Sequence, residues 1–361
     1  MPLVPARSAT LTVEDVPRLM EEAQTHLAAG APREVERLFL LAYAVTHKSA
    51  RFHALVGEAL DRLGEHGRAE EYLCMAAFLA PSDPQWWLGL ARFLEARGRA
   101  DGAEAAARRA LGASPYAHEA WDVVERAIRA QGRTPPPRLI VFGDSHAMYF
   151  RYRAAMDGPG GTHGHLLEVH DIGGATAYGL ANPESGSGSG AVIRRRLKAR
   201  PVYARLLFFF GEVDCRRAAW AAAAKLGRPI DWVIEDAVAR YIGFIDALAA
   251  EGHGPISVVG PILPVTDDAR LADVVRNDPR VTMVSQAERT RVTDRFHALA
   301  RLACAERGWG WMDIAGAMRD PATGLAAATF TGDDPWDAHA RMDVTAACLA
   351  EALGRHLEAV R

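Results

Sequence analysis

The stretch RLIVFGDSHAMYF, residues 138–150, joins a short apolar run to a polar motif. The run RLIVF (138–142) predicts a strand that is buried on both faces, and the residues after it predict a helix over 146–156. Ser145 lies at the turn between the two. Backbone N–H groups at the start of a helix favour negative charge, so a nucleophilic serine placed here would find support for an oxyanion.

Outward from this stretch, apolar runs and amphipathic segments alternate to the end of the chain. Four further strands are predicted at 166–172, 205–210, 256–260 and 309–314, and helices at 190–200, 231–251, 282–307 and 343–360. This alternation predicts an α/β fold, a flavodoxin-like three-layer α/β/α domain with about five parallel strands over residues 138–361. Ligands of such sheets bind beyond the carboxyl ends of the strands, where Ser145 lies.

The residues before this domain repeat with a longer period. Glycines recur every 34 residues, at Gly30, Gly64, Gly98 and Gly132, and alanine, proline and tryptophan positions keep the same register. This period is typical of the tetratricopeptide (TPR) repeat, a stacked pair of antiparallel helices. We therefore expect an all-α, TPR-like helical repeat domain over residues 1–132, followed by a Pro-rich linker at 133–137.

The overall composition restricts the classes of partner. The chain is 49% hydrophobic and 24% charged, as in a folded globular protein, and its net charge of −3 offers no basic field for nucleic acid. No apolar run is long enough to span a membrane, and the first residues do not resemble a signal peptide. We expect a cytoplasmic protein whose four scattered cysteines are reduced.

With GDSH after its first predicted strand, the sequence resembles the SGNH, or GDSL-like, hydrolases over residues 138–361. The resemblance implies that Ser145 is the nucleophile of an esterase or acyl-transferring enzyme. Members of that family bind the oxyanion with a glycine after the second strand and an asparagine after the third. Since DIGGATAYGL follows the second strand here, the resemblance places Gly174, or else Gly173, in the glycine's role.

The segment after the third strand, FFFGEVDCR, departs from the family's usual G-x-N-D. Val213 stands where the asparagine would be, and its side chain cannot donate a hydrogen bond. Loss of one such donor typically lowers the rate by about 100- to 1000-fold. Either the backbone N–H groups of Ser145 and Gly174 suffice, or Arg216 acts as a replacement donor. The GEVDCR form resembles that of bacterial SGNH-like proteins linked to surface polysaccharide.

The segment DDPWDAHARMD before the last predicted helix corresponds to the family's catalytic loop, which implies that His339 is the general base. The family's Asp-x-x-His spacing is absent, because Trp336 stands three residues before His339. Asp337 is the preferred partner of the imidazole, and Asp334 is the alternative. A Ser–His dyad, in which a backbone carbonyl holds the histidine, is a third possibility.

Several other polar residues lie near the predicted strand ends. Asp144, Glu212 and Asp214 are candidate substrate contacts, although ion pairing with Arg216 that orients the loops explains a charged cluster equally well. The histidines His163, His165 and His170 lack ligand spacing, and we expect no metal and no other cofactor.

Two functions are compatible with these features. The first is a serine esterase or acyltransferase that acts on O-acyl groups, with O-acetyl groups of a bacterial polysaccharide or another glycan implied by the resemblance. The second is a non-catalytic, SGNH-like glycan-binding protein whose TPR repeats recruit a protein partner. Val213 and the irregular spacing before His339 favour the second.

Overall fold

The computed structural model describes residues 11–114, 117–157, 162, 164–198, 204–277, 283–332 and 339–359. The chain divides into two compact units, Met1–Pro135 and Pro136–Arg361. Among the described residues the first unit is helical, and the second contains a parallel sheet flanked by helices. No helix in the described ranges has the length and the apolar character needed to cross a membrane.

The helices of the first unit form antiparallel pairs. They are α1 (Val16–Ala28), α2 (Pro32–Leu41), α3 (Tyr43–Thr46), α4 (Ala50–Arg62), α5 (His66–Leu79), α6 (Pro84–Glu95), α7 (Ala100–Ala113) and α8 (His118–Ala130). The glycines of the 34-residue period follow α1, α4, α6 and α8, each with φ between +69° and +77°. A left-handed residue ends a helix, and glycine adopts it without strain. The predicted helical repeat is confirmed.

Small buried residues allow the paired helices to approach closely. Ala69 and Ala103, which are equivalent in the repeat, have no exposed surface, and Ala76 and Ala110 are almost as fully buried. A side chain at Gly57 of α4 would clash with Leu73 of α5. The repeated small residues therefore mark the line along which the two helices of a pair meet.

The second unit is built on a five-stranded, all-parallel sheet. Its strands are β1 (Arg138–Gly143), β2 (Leu166–Asp171), β3 (Arg205–Phe209), β4 (Ile256–Val259) and β5 (Gly310–Met312), in the order β2-β1-β3-β4-β5. Leu139 of β1 pairs with Leu167 of β2 on one side and Arg205 of β3 on the other. The predicted parallel sheet is confirmed, with the motif GDSH at the carboxyl end of an interior strand.

Helices lie on both faces of this sheet. They are α9 (Arg153–Met156), α10 (Ser189–Leu197), α11 (Ala219–Leu226), α12 (Ile230–Ala250), α13 (Asp268–Asn277), α14 (Gln286–Arg307), α15 (Ala315–Met318) and α16 (Met342–Ala359). Alternate residues of β1 enter two separate cores, with Ile140 packed among residues of α12 and α14 and Val141 among residues of α16. The second unit is therefore a three-layer α/β/α structure.

The segment after β1 differs from the predicted α-helix over 146–156. It forms a 3-10 helix, Ser145–Arg151, followed by the short α9. The Asp144 carboxylate accepts the N–H of His146, and the Asp144 carbonyl accepts the N–H of Ala147. These local bonds favour the tighter turn, because they engage the first N–H groups within three residues. The prediction also omitted α11, α13 and the four-residue α15.

Candidate active site

Ser145 and His339 are brought together although they lie far apart in the sequence. Nε2 of His339 lies 2.8 Å from Oγ of Ser145, within hydrogen-bond distance. Both side chains are partly exposed. A hydroxyl paired with an imidazole at this distance can lose its proton to the ring as it attacks a carbon centre.

A buried tyrosine links the segments that carry these two residues. The Tyr149 hydroxyl donates to the carbonyl of Ala340 at 3.0 Å, and Tyr149 lies on the same 3-10 helix as Ser145. Ala340 also forms a β-bridge with Thr331, and the N–H of Arg341 donates to Phe330. The backbone next to His339 is thus fixed from two sides.

His146, the residue after Ser145, has no exposed surface. Its Nδ1 lies 2.8 Å from Oδ1 of Asp144, and its Nε2 faces Oε2 of Glu212 at 3.5 Å. Burial opposes charge on this ring, but the carboxylates of Glu212 and Asp144 outweigh burial and raise the pKa of His146. The residue after Ser145 therefore belongs to a buried charged cluster that also contains Asp144 and Glu212.

Glu212, from the segment after β3, connects this charged cluster to Arg216. Nε of Arg216 donates to Oε1 of Glu212 at 2.7 Å. Burial favours the neutral acid, but Arg216 and His146 outweigh burial and lower the pKa of Glu212. Glu212 therefore remains ionised, and Arg216 is engaged in an ion pair within the protein.

Asp214, also after β3, contacts the loop after β2. Its buried carboxylate accepts the backbone N–H groups of Ala177, at 2.7 Å, and Tyr178, at 3.1 Å. Burial raises the pKa of Asp214 to about 7, against the opposing effect of these two donors. Asp214 thus fastens the loop after β2 to the segment after β3.

The predicted oxyanion residues lie at the ends of the neighbouring strands. Gly174 follows β2 with φ of +70°, and neither it nor Gly173 has other atoms close to the position of a Cβ. The loop that contains them starts beside β1, since the N–H of Ile172 donates to the carbonyl of Gly143. Val213 is half-buried between Glu212 and Asp214 and offers no side-chain donor.

Some predicted residues fall elsewhere. Asp334 and Asp337 lie outside the described residues, and so does His163. His165 pairs through Nδ1 with the carbonyl of Thr162, whereas Nε2 of the buried His170 lies 2.7 Å from Glu168. These two histidines therefore contact different groups.

Sequence reasoning did not single out His146 or Tyr149. His146 stands within the motif GDSH, but a histidine there gives no sign of whether it is exposed or enclosed by carboxylates. Tyr149 lies four residues after Ser145, and this position on the serine's own helix was the available signal. Its acceptor, Ala340, is distant in sequence, so the contact required the tertiary structure.

Neither a protein-family model nor a curated protein matches the sequence. Parts of the chain are similar to solved structures. The type III secretion translocator chaperone SycD of Yersinia enterocolitica is 15% identical, with 35% of this chain and 92% of that chain covered and a TM-score of 0.31. A provisionally assigned acylhydrolase of Bacteroides fragilis is 12% identical, with coverages of 66% and 98% and a TM-score of 0.40.

The O-GlcNAc transferase of Thermobaculum terrenum, in a mutant form, is 14% identical, with 70% of this chain and 46% of that chain covered and a TM-score of 0.30. At such scores and identities these similarities carry no functional information. The chemistry of the site has to be inferred from its own residues.

Proposed function

We propose that the second unit is a serine esterase or O-acyltransferase of the SGNH type, with Ser145 as nucleophile and His339 as general base. The observation that carries this proposal is the 2.8 Å distance between Oγ of Ser145 and Nε2 of His339. It lies at the carboxyl end of a parallel sheet, where α/β enzymes place their reacting groups. Both side chains are partly exposed, so a substrate can reach them.

In the first half of the reaction, Oγ of Ser145 attacks the carbonyl carbon of an ester while Nε2 of His339 takes the hydroxyl proton. The tetrahedral intermediate then collapses, the bond to the alkoxide breaks, and His339 returns the proton to the leaving oxygen. The acyl group now resides on Ser145. Water or a second alcohol, deprotonated by His339, attacks the acyl-enzyme and regenerates the free serine.

The oxyanion needs donors that are present before the reaction starts. In the proposal these are the backbone N–H groups of Ser145 and Gly174, either alone or with Arg216 as a replacement side-chain donor. Asp337, or alternatively Asp334, would hold the tautomer of His339 that presents Nε2 to the serine. The mechanism requires no metal or organic cofactor.

The substrate class follows from the resemblance to the SGNH family. GDSH and GEVDCR favour an O-acyl ester, and we infer an O-acetyl group on a bacterial polysaccharide or another glycan.

The helical unit would then recruit a protein partner. In its favour, α2, α3 and α5 expose Leu40, Leu41, Tyr43, Met75 and Phe78, which a partner could cover.

A second function, glycan binding without catalysis, is favoured by one specific observation. Val213 supplies no side-chain donor, and Arg216, its proposed replacement, already donates to Glu212. An oxyanion would then depend on backbone groups alone. A sugar would then be bound by polar side chains at the strand ends without being cleaved.

Labelling with a fluorophosphonate probe separates the two functions. An activated serine reacts with the probe, so we expect labelling of the wild-type chain, none of Ser145→Ala, and full labelling of the control Ser49→Ala, which changes a helix cap in the first unit. Hydrolysis of aryl acetates and acetylated sugars should follow the same order. An unlabelled wild-type chain that still binds glycans would establish the second function.

A further inference from the structure

His146 is enclosed on both ring nitrogens by carboxylates from different parts of the fold. Asp144 comes from the end of β1, and Glu212 from the segment after β3, with Oδ1 and Oε2 at 2.8 and 3.5 Å from the ring. The ring has no exposed surface, so it cannot reach a substrate in the crevice. Any role in the chemistry must therefore act through a neighbour.

That neighbour is His339. The ring centroids of His146 and His339 are 4.7 Å apart, and the ring planes are inclined at 42°. The buried ring of His146 therefore packs against the partly exposed ring of His339. Glu212 attracts both imidazoles, because each of them contributes to the lowered pKa of its carboxyl group. The position and the charge of His146 both bear on the base that faces Ser145.

We infer that His146 is a positioning residue, clamped between Asp144 and Glu212, which holds the His339 ring in line with Oγ of Ser145. The inference rests on the proposed function. It goes beyond that function because it assigns the orientation of the base to a buried histidine next to the nucleophile, in addition to any aspartate near His339.

The clamp, in which His146 lies between the carboxylates of Asp144 and Glu212, depends on protonation of the His146 ring. A protonated imidazole carries an N–H on each nitrogen, so it can bond Asp144 through Nδ1 and carry a positive charge opposite Glu212 at 3.5 Å, whereas a neutral ring has lost that charge and one N–H. The charged and titratable groups that face His146 are Asp144 on its own turn, Glu212 and Arg216 after β3, Tyr149 on its helix, and His339.

Among these groups, the two carboxylates favour the protonated ring and Arg216 opposes it. Since the pKa of His146 lies above its ordinary value, the protonated clamp persists to higher pH than an ordinary imidazole would allow, and it opens as the pH rises further. Activity should therefore fall on the alkaline side as His146 loses its proton.

Glu212→Gln tests this dependence without altering His146 itself. The amide removes a negative charge that stabilises the protonated ring, so the alkaline fall in kcat should begin at lower pH than in the wild-type chain. The variant keeps the size of the side chain, and its oxygen can still accept from Arg216.

His146→Gln removes the clamp altogether. We expect kcat for an aryl acetate to fall by about 10- to 100-fold, since misplacement of a catalytic group by about 1 Å has effects of this size, while KM changes little. The alkaline fall should be lost. His356→Gln is the matched control, because His356 bonds Ser257 of β4 and has no part in the site. Circular dichroism and thermal unfolding verify folding.

The possible outcomes are distinct. A folded His146→Gln chain with normal kcat, or a Glu212→Gln chain whose alkaline limb does not move, would overturn the inference and leave Ser145 and His339 intact. A wild-type chain that neither reacts with the probe nor cleaves esters would overturn the proposed function, and the role of His146 with it. If His146→Gln does not fold, the pH profile of Glu212→Gln alone decides.

Discussion

The hydroxyl of Tyr149 donates to the carbonyl of Ala340 at 3.0 Å, and so joins the helix that begins at Ser145 to the residue that follows His339. Because Tyr149 is fully buried, no water competes for this bond. The two halves of the proposed catalytic pair are therefore held by a bond of which neither is a member.

Tyr149→Phe tests this link. The change deletes one hydroxyl and leaves the ring, so the free energy of unfolding should fall by about 1 to 3 kcal/mol, the cost of leaving the buried carbonyl unsatisfied. Steady-state kinetics should show kcat lowered several-fold with KM nearly unchanged. Tyr152→Phe, at the exposed residue that follows this helix, is the control. A loss of stability with unchanged kcat would reduce Tyr149 to a structural role.

Asp214→Asn addresses pH and stability. A carboxyl group whose pKa is about 7 in the folded chain and 3.8 otherwise binds its proton more tightly when folded. Its contribution to the free energy of unfolding is therefore complete below pH 3.8 and is lost as the pH rises through 7. Denaturation at a series of pH values should show this decline, by up to about 4 kcal/mol, in the difference between the wild-type chain and the variant.

Parallel stability curves for the two proteins would contradict that prediction and show that folding leaves the pKa of Asp214 near its value in the unfolded chain. The amide also keeps only one acceptor oxygen for the N–H groups of Ala177 and Tyr178. A constant offset between the curves is expected from this loss, and only the slope reports on the proton.

The acid partner of His339 is tested by two amide substitutions. If Asp337 orients the imidazole, Asp337→Asn should lower kcat by up to about 10000-fold, because an amide favours the wrong tautomer and cannot balance the imidazolium charge. Asp334→Asn should then be mild. The reverse order would identify Asp334, and near-normal rates in both, beside an inactive His339→Ala, would establish a dyad.

Limited proteolysis tests the predicted linker at 133–137. We expect cleavage there to release a fragment that starts near residue 138, because a proline-rich segment forms no helix or interior strand. Mass spectrometry of the fragments gives the cut site. Resistance to cleavage, together with an insoluble 138–361 fragment, would mean that the two parts share a core.

Periodic features of the chain could be predicted from the sequence. The 34-residue spacing of Gly64 and Gly98 identified the helical pairs, since a left-handed residue after a helix favours glycine at the same place in each repeat. The five apolar runs identified the strands, because strands of a parallel sheet covered by helices on both faces form nearly continuous apolar runs. The serine at a strand end and the histidine before the last helix were found by motif.

Features that depend on local competition or distant contacts could not be predicted in this way. The helix after β1 is a 3-10 helix in which the N–H of Ala147 bonds the carbonyl three residues before it, and the residue pattern of this segment does not distinguish that turn from an α-helix. The enclosure of His146 requires Glu212, which is remote in sequence, to arrive beside it. Asp334 and Asp337 lie outside the described residues, so their ranking stays a prediction.

The separation of Ser145 and His339 by 194 positions has a consequence for synthesis of the chain. The helical unit makes its contacts between neighbouring repeats, so it can fold as soon as it leaves the ribosome. The hydroxyl and the imidazole cannot meet until the last helix has begun to emerge. A nascent chain would thus carry a folded helical unit while Ser145 still lacks its proposed base. Translation that stops before His339 would release a second unit in which the proposed base is missing.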